Sequence, residues 1–391
     1  MKKKILGLVL GVTLVMSMLV GCGNENTEGD GGTGSNSGNG IGQPIVVVDD
    51  ETNPDEETTV DDTNTPTIPE GIVMIKDLTA PEGYVYSELT GELIDASIAN
   101  QRPLAVMVDN ELTALDHFGI NDCDIVYECM NSTKNGRITR LMCIIKDYAK
   151  IEQLGSVRSA RTVNMVLSAE WNAILCHDGG PFYINDYYAK PEVNHLNGCF
   201  SRVNNGKAVE FTEYVLAKDV TNYLGDNAAF DTQYNSYYTG EHFQFVSNNA
   251  LDTGTYNEIK SVTDIYLPYD HNSSELHYNE STGLYEYYEY GGPHKDAVTG
   301  EVLAFTNLLV LCVDYVEYDE NGYLWYKIQG GNDWGYYVTQ GKAGRIQWYK
   351  GNDLTDNMHF IDDGFNDIYI NAGKTYITFV PKDVWDQLVM Q

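Results

Sequence analysis

The sequence predicts an α/β protein: a helix-flanked mixed sheet forming an N-terminal domain, followed by a β-rich C-terminal domain. Three observations carry this. Between residues 102 and 177, four apolar runs are bounded by polar or turn residues: Leu104 to Val108, Ile125 to Tyr127, Leu141 to Ile145 and Ala173 to Cys176. They have the length of strands and are apolar enough to be covered on both faces. Val163, Val166, Leu167 and Trp171 then recur at helical spacing, with Ser159 as the expected N-cap. Finally, 25 of the 29 tyrosines lie after residue 182, where short strand-like runs alternate with glycine turns.

In order along the chain, Lys2-Lys3-Lys4 precedes an uncharged, mostly apolar run from Ile5 to Val20, then Leu19-Val20-Gly21-Cys22. A basic start, an apolar core and small residues before a cut are the pattern of a secretory signal peptide. Cysteine after a Leu-x-Gly triplet matches a lipobox, so residues 1–21 are expected to be removed and Cys22 lipidated. From Gly23 to Glu70 there are 12 acidic residues and no Lys or Arg. Such a segment buries too little apolar surface to offset ordering entropy. Residues 22–76 are therefore expected to be a lipid anchor and disordered acidic tether, reaching about 40 Å. Ile45-Val46-Val47-Val48 is an unremarkable apolar island within it.

The expected domains span 81–225 and 226–391. In the first, the strand runs above are joined by a helix from Thr162 to Trp171 and a second from about Thr212 to Leu224, which stops at Gly225. In the second, Asn279 to Gly283, Asp319 to Gly322 and Gly330-Gly331-Asn332 read as hairpin turns, and Thr375 to Pro381 as a closing strand. From Gly71 onward, 45 acidic residues stand against 21 basic ones. That balance argues against nucleic acid, whose backbone needs a basic surface. The six remaining cysteines form no Cys-x-x-Cys and no zinc spacing; Cys129, Cys143, Cys176 and Cys312 read as core residues. No metal site or cofactor is expected.

Against this acidic background arginine is concentrated: five of the seven lie between Arg102 and Arg161. Gly155-Ser156-Val157-Arg158-Ser159-Ala160-Arg161 combines a glycine turn, hydroxyls and two forked guanidinium donors ahead of a helix, a composition suited to anions. Asp109 and Asn110 end one strand, Arg137 and Arg140 flank the start of another, and His177-Asp178 tips a third. The competing interpretation pairs the arginines with Asp109, Asp124 and Glu128 to hold the sheet edge. No nucleophile elbow, metalloprotease helix or phosphate-binding loop occurs, so no catalytic residue is assigned. Tyr287, Tyr288, Tyr290, Trp325, Trp334, Tyr336 and Tyr337 offer a second idea, a sugar-stacking face, against ordinary sheet packing.

Six motifs in order resemble one family. They are Tyr86 to Asp95 with Leu89-Thr90-Gly91, Arg102 to Asn110, Asp124 to Glu128, Gly136 to Arg140, Gly155 to Arg161, and His177-x-Gly179-Gly180. Together with Gly291 to Leu309 and Gly373 to Pro381 they are similar to the YerB-like lipoproteins, a bacterial family of unknown function. The resemblance implies a lipid-anchored protein outside the cytoplasmic membrane and supplies no reaction. Two departures stand out: Pro181 follows the glycine pair where relatives carry serine, and Ala208-Val209-Glu210 replaces a Pro-His-Asn run.

The expected function is that of an extracytoplasmic, lipid-anchored cell-envelope protein. It binds an anionic or sugar-containing wall component, or a partner protein, at a cleft lined by Asp109, Asn110, Arg137, Arg140, Arg158, Ser159, Arg161 and His177. Its membrane contact is through the lipid anchor only. The alternatives are a hydrolase or transferase acting on a wall polymer, with Asp109, His177 and Asp178 moving protons, and a scaffold for an envelope complex.

Overall fold

The computed structural model describes residues 68–225 and 228–391. The signal segment, Cys22, the Ile45 to Val48 island and most of the tether lie outside the described residues. The expected tether ran to residue 76, but Met74 bridges Val246, and Met74 and Ile75 are buried in the core. Apolar residues that find a groove gain more by burial than the chain loses in freedom.

The predicted N-terminal strands form close to where their apolar runs lie: β1 (Leu104–Asp109), β2 (Ile125–Met130) and β3 (Thr139–Ile145). Helix α1 (Thr162–Glu170) follows, then β4 (Ile174–His177), the short α2 (Asn185–Tyr188), β5 (Asn194–Asn197) and α3 (Ala217–Leu224). Beyond these come β6 (Ile259–Ser261), β7 (Asp264–Tyr266), β8 (Glu275–Asn279), β9 (Leu284–Glu289) and β10 (Asn307–Val313). The last strands are β11 (Asn332–Thr339), β12 (Lys342–Lys350), β13 (Met358–Ile361), β14 (Thr375–Pro381) and β15 (Val389–Met390).

The boundary expected at residue 225 does not divide the sheet. One mixed sheet of 11 strands runs β6-β12-β11-β10-β14-β2-β3-β1-β4-β5, with β13 on β12. The closing strand β14 sits in its middle, parallel to β10 on one side and to β2 on the other, where Thr375 faces Ile125 and Phe379 faces Cys129. Both halves of the sequence thus contribute strands to one sheet.

The apolar strands are covered on both faces, but mostly not by helices. Neighbouring residues of a strand point to opposite faces, and β2 shows what lies on each. The Tyr127 hydroxyl accepts from Trp171 Nε1 at 2.8 Å, on the side of α1. Glu128 meets Ser274 and Tyr287, from the second sheet built on β9-β8-β7-β15. Mixed sheets with few helices replace the helix-flanked layer expected from the sequence, because a second sheet covers the central strands as well as a helix would. All nine residues of α1 are buried, so it is a core helix rather than an amphipathic flank.

Three local expectations change. Ser159 is not the N-cap of α1; Arg161 is, with its N–H donating to Asn164 Oδ1 at 2.8 Å. The second helix starts at Ala217 rather than Thr212, because Tyr214 to Leu216 pair antiparallel with Gln153 to Gly155. Gly330-Gly331-Asn332 leads into β11 without making a hairpin; the tight turn is Gln340-Gly341, between β11 and β12. The described cysteines are all free, and of these only Cys199 is not buried. No helix among the described residues is long and apolar enough to cross a membrane.

Candidate functional site

The strongest concentration of buried positive charge gathers where β1 ends. Asp109, the last residue of β1, stands opposite Arg140 in the antiparallel register with β3. The segment after Gly155 runs alongside: Val157 bridges Val108, Asp109 N–H donates to the Ser156 carbonyl at 3.0 Å, and Arg158 N–H to that of Met107 at 3.1 Å. Gly155 makes the close approach possible. Its φ is +141°, and a Cβ there would lie 2.8 Å from Val157 N. Arg158 and Arg161 therefore reach the Asp109–Arg140 pair from extended backbone, not from a helix face.

The result is a pocket of about 500 Å³ lined by Asp109, Arg140, Arg158, Ser159 and Arg161. Asn131, Ser132, Lys134 and Asn135 from the β2–β3 turn complete one side, and Glu320, Asn321 and Tyr323 from a C-terminal hairpin another. Glu111 and Phe211 close the rim. Arg158 Nε donates to Asp109 Oδ2 at 2.7 Å, and its other arm to the exposed Glu210 at 3.2 Å. Arg140 donates one arm to the Ser159 carbonyl at 2.6 Å, and Arg161 one to the Ala160 carbonyl at 2.9 Å. The Arg161 guanidinium lies 4.2 Å over the Tyr323 ring. The Nε–H groups of Arg140 and Arg161 are buried without a partner.

The electrostatics follow. Burial, and then the neighbouring Arg161, pull Arg140 down to about 9. Burial also lowers Arg161, with Arg158 adding to the effect. For Arg158 burial works in the same sense but is outweighed by Asp109 and Glu210, which hold its charge above the ordinary value. Asp109 alone faces this trio as a buried carboxylate, at 2 % exposure.

Five of the eight residues expected to share a cleft do so. Asn110 points to the other face of β1, where its Nδ2 donates to Thr139 at 2.9 Å and to Glu128 at 3.5 Å. Arg137, at φ +60°, pairs with Asp383 at 2.6 Å and stands apart from the pocket. His177 is fully buried: its Nδ1 bonds the Gly179 carbonyl at 2.8 Å and its Nε2 the His195 Nδ1 at 3.1 Å. Burial pushes it down to about 4, so it is a neutral core imidazole at neutral pH. Its neighbour Asp178 pairs with Arg202 at 3.0 Å. Ser159 Oγ donates to the Asp178 carbonyl at 2.7 Å, fixing the arginine segment to the end of β4.

The fold agrees with that of a relative. Residues 89–230 match the N-terminal domain, and residues 265–377 the C-terminal domain, of a protein family of unknown function, DUF3048. The chain belongs to the DUF3048 family. It is 24% identical over 303 residues to the "Putative lipoprotein YerB" of Bacillus subtilis (strain 168), covering 75% of this chain and 85% of that protein. The crystal structure of YerB from Bacillus subtilis superimposes with a TM-score of 0.64 at 19% identity, covering 78% of this chain and 99% of that one. This likeness shows a shared fold. Both family domains contribute to the pocket, since Glu320, Asn321 and Tyr323 lie within the C-terminal match.

Sequence reasoning missed those three residues and the β2–β3 turn. Asn131-Ser132-Thr133-Lys134-Asn135-Gly136 was visible as a polar turn between two apolar strands; Tyr323 had no local signal at all. The suggested aromatic face does not exist as one surface. Tyr287 and Tyr337 are buried, Trp334 and Tyr336 pack against Trp385, and Trp325 stands exposed on its own hairpin. Among the described residues one group could hold a metal ion: His117, Glu289 and His294, all buried, with donor atoms within 4.8 Å of one another.

Proposed function

We propose that this chain is exported, is anchored by lipid at Cys22, and binds an anionic component of the cell envelope in the Arg140–Arg158–Arg161 pocket. One observation carries the binding reading. Two buried guanidinium groups keep Nε–H donors without partners beside a pocket open to solvent. The large majority of buried donors in proteins are paired, and an unpaired one costs about 1–3 kcal/mol. A phosphate, sulfate or carboxylate group bound against the guanidinium groups that line the pocket would offset the mutual repulsion of three arginines. The amides of Asn131, Asn135 and Asn321 would then face the rest of the ligand, which suits a hydroxylated chain such as a phosphorylated wall glycan.

The test separates ligand binding from structural pairing. Calorimetric titration of the full chain with sulfate and with anionic wall-polymer fragments is expected to give saturable binding that Arg161→Gln weakens by tenfold or more, since charge-assisted hydrogen bonds contribute about 1.5–3 kcal/mol. If the arginines serve only to hold the sheet edge, the wild type shows no binding and the same substitution lowers the urea midpoint instead.

The proton-transfer alternative is less well supported. His177 is sealed behind Gly179 and His195, and Asp178 is engaged by Arg202, so the two do not face the pocket together with Asp109.

A further inference from the structure

Two histidine pairs occur in the fold, and their hydrogen bonds differ in kind. In one, His177 Nδ1 donates to the Gly179 carbonyl at 2.8 Å, which leaves its Nε2 as an acceptor 3.1 Å from His195 Nδ1. His195 is only partly buried, and its own Nε2 meets no acceptor among the described residues. It can therefore carry its hydrogen on Nδ1 and complete the link unaided.

The other pair has no such freedom. His294 Nδ1 meets Glu289 Oε1 at 2.6 Å, and His117 Nε2 meets the main-chain carbonyl of Asp109 at 2.5 Å. Between them His117 Nδ1 and His294 Nε2 stand 3.2 Å apart. A carbonyl and a carboxylate only accept, so each neutral ring spends its one hydrogen outward. Two lone pairs then face each other among three buried side chains, an arrangement that calls for a positive centre between them. The spacing suits a metal ion: arms of about 2.0–2.1 Å from a tetrahedral Zn2+ set two imidazole nitrogens about 3.3 Å apart. The outer partners are those that metal-bound histidines ordinarily have, a carboxylate on one ring and a backbone carbonyl on the other. Donor atoms of His117, His294 and Glu289 all lie within 4.8 Å of one another, so the carboxylate that orients His294 is within a side-chain movement of becoming a third ligand. The other charged groups that bear on the two rings, Asp109, Asp116 and Asp296, are all acidic.

We infer that His117 Nδ1 and His294 Nε2 bind one divalent transition-metal ion, Zn2+ by the chemistry of the donors, with Glu289 as its carboxylate partner, and that this ion pins the second sheet to the loop after β1. Imidazole and carboxylate are ligands that zinc accepts. His117 follows β1 and His294 follows β9, 177 residues apart, so no local spacing announces the site in the sequence. Because all three side chains are buried, the ion's role is structural: it closes a long loop and adds its binding free energy to that of folding. The site stands independently of the anion-binding reading.

The test uses the full chain without a histidine tag, unfolded in urea with a chelator and refolded with Zn2+, with Co2+ or with neither. After gel filtration one equivalent of zinc is expected to stay with the protein, and the urea midpoint to lie above that of the metal-free chain. The cobalt form should show the visible absorption of a four-coordinate ion with nitrogen ligands. His117→Gln and His294→Gln should each abolish zinc retention, and His177→Gln should leave it unchanged. Glu289→Gln should weaken zinc affinity, measured against a competing chelator, by about 10–100-fold. No retained zinc, a urea midpoint that zinc does not move, or zinc held equally well by both His117→Gln and His294→Gln overturns the proposal; a proton then takes the place between the rings. Should either histidine variant fail to fold, the stoichiometry, the cobalt spectrum and the Glu289→Gln affinity still decide.

Discussion

Asp109 and Asn110 are neighbours in sequence, yet they open onto two opposite kinds of polar cluster. On Asn110's side, the Glu128 carboxylate receives hydrogen bonds from Thr139, Ser274, Tyr287, Tyr376 and Asn110 itself. Every one of those donors is buried. On Asp109's side, three guanidinium groups converge and two of their Nε–H donors go unpaired. A carboxylate met by five buried donors between two sheets holds the molecule together, although Asn110 Oδ1 beside it has no partner. On the anion-binding proposal, a buried cluster with unpaired donors beside a pocket is kept for a ligand, at a cost in stability that the rest of the fold covers.

The comparison can be broken at several points. The largest effect is expected at the sealed cluster: Glu128→Ala strands five donors and should lower the free energy of unfolding by on the order of 3 kcal/mol or more, measured by urea titration. Next comes the open cluster, where Arg140→Gln should reduce anion affinity about tenfold or more while leaving the urea midpoint unchanged or raising it. An equal loss of stability in both variants would erase the distinction.

Smaller effects test the buried histidines and the surface. His177 and His242 are pushed down, by burial above all, to about 4 and about 3. Below about pH 6.5 the unfolded chain takes up protons that the folded sites refuse. The unfolded state then binds more protons, so stability falls as pH drops from about 6.5 toward 4, by up to about 1.4 kcal/mol per pH unit for each such group. His177→Gln should remove its share of that slope between about pH 7 and about pH 5. Smallest of all, Arg137→Ala removes a partly exposed ion pair with Asp383 and should shift stability by about 1 kcal/mol or less, without touching anion affinity.

What could be read in the sequence was local. Leu104 to Val108 and Thr375 to Pro381 declare themselves as strands because a run of buried apolar residues needs no partner to be recognised. That the second of these lies beside Ile125 to Cys129 could not be read, since parallel pairing across some 250 residues leaves no periodic trace. The arginines stood out against an acidic background, and three of them do share a pocket. Arg137 and Asn110 were misplaced for identifiable reasons: the first sits in a left-handed turn before its strand begins, and the second follows the alternation of β1 to the opposite face. Tyr323 was out of reach, because it joins the site only through tertiary folding of a distant hairpin.

The central position of Thr375–Pro381 also sets an order of events. A polypeptide is made from its amino end, so β2 and β10 exist long before the strand that belongs between them. Until Thr375–Pro381 is available, each keeps an unpaired apolar edge facing the other across a gap one strand wide. Edges of that kind recruit whatever strand is nearest, including those of neighbouring molecules. Truncation just before residue 375 would therefore do more than shorten this protein: it would leave the middle of its sheet open to the wrong partner.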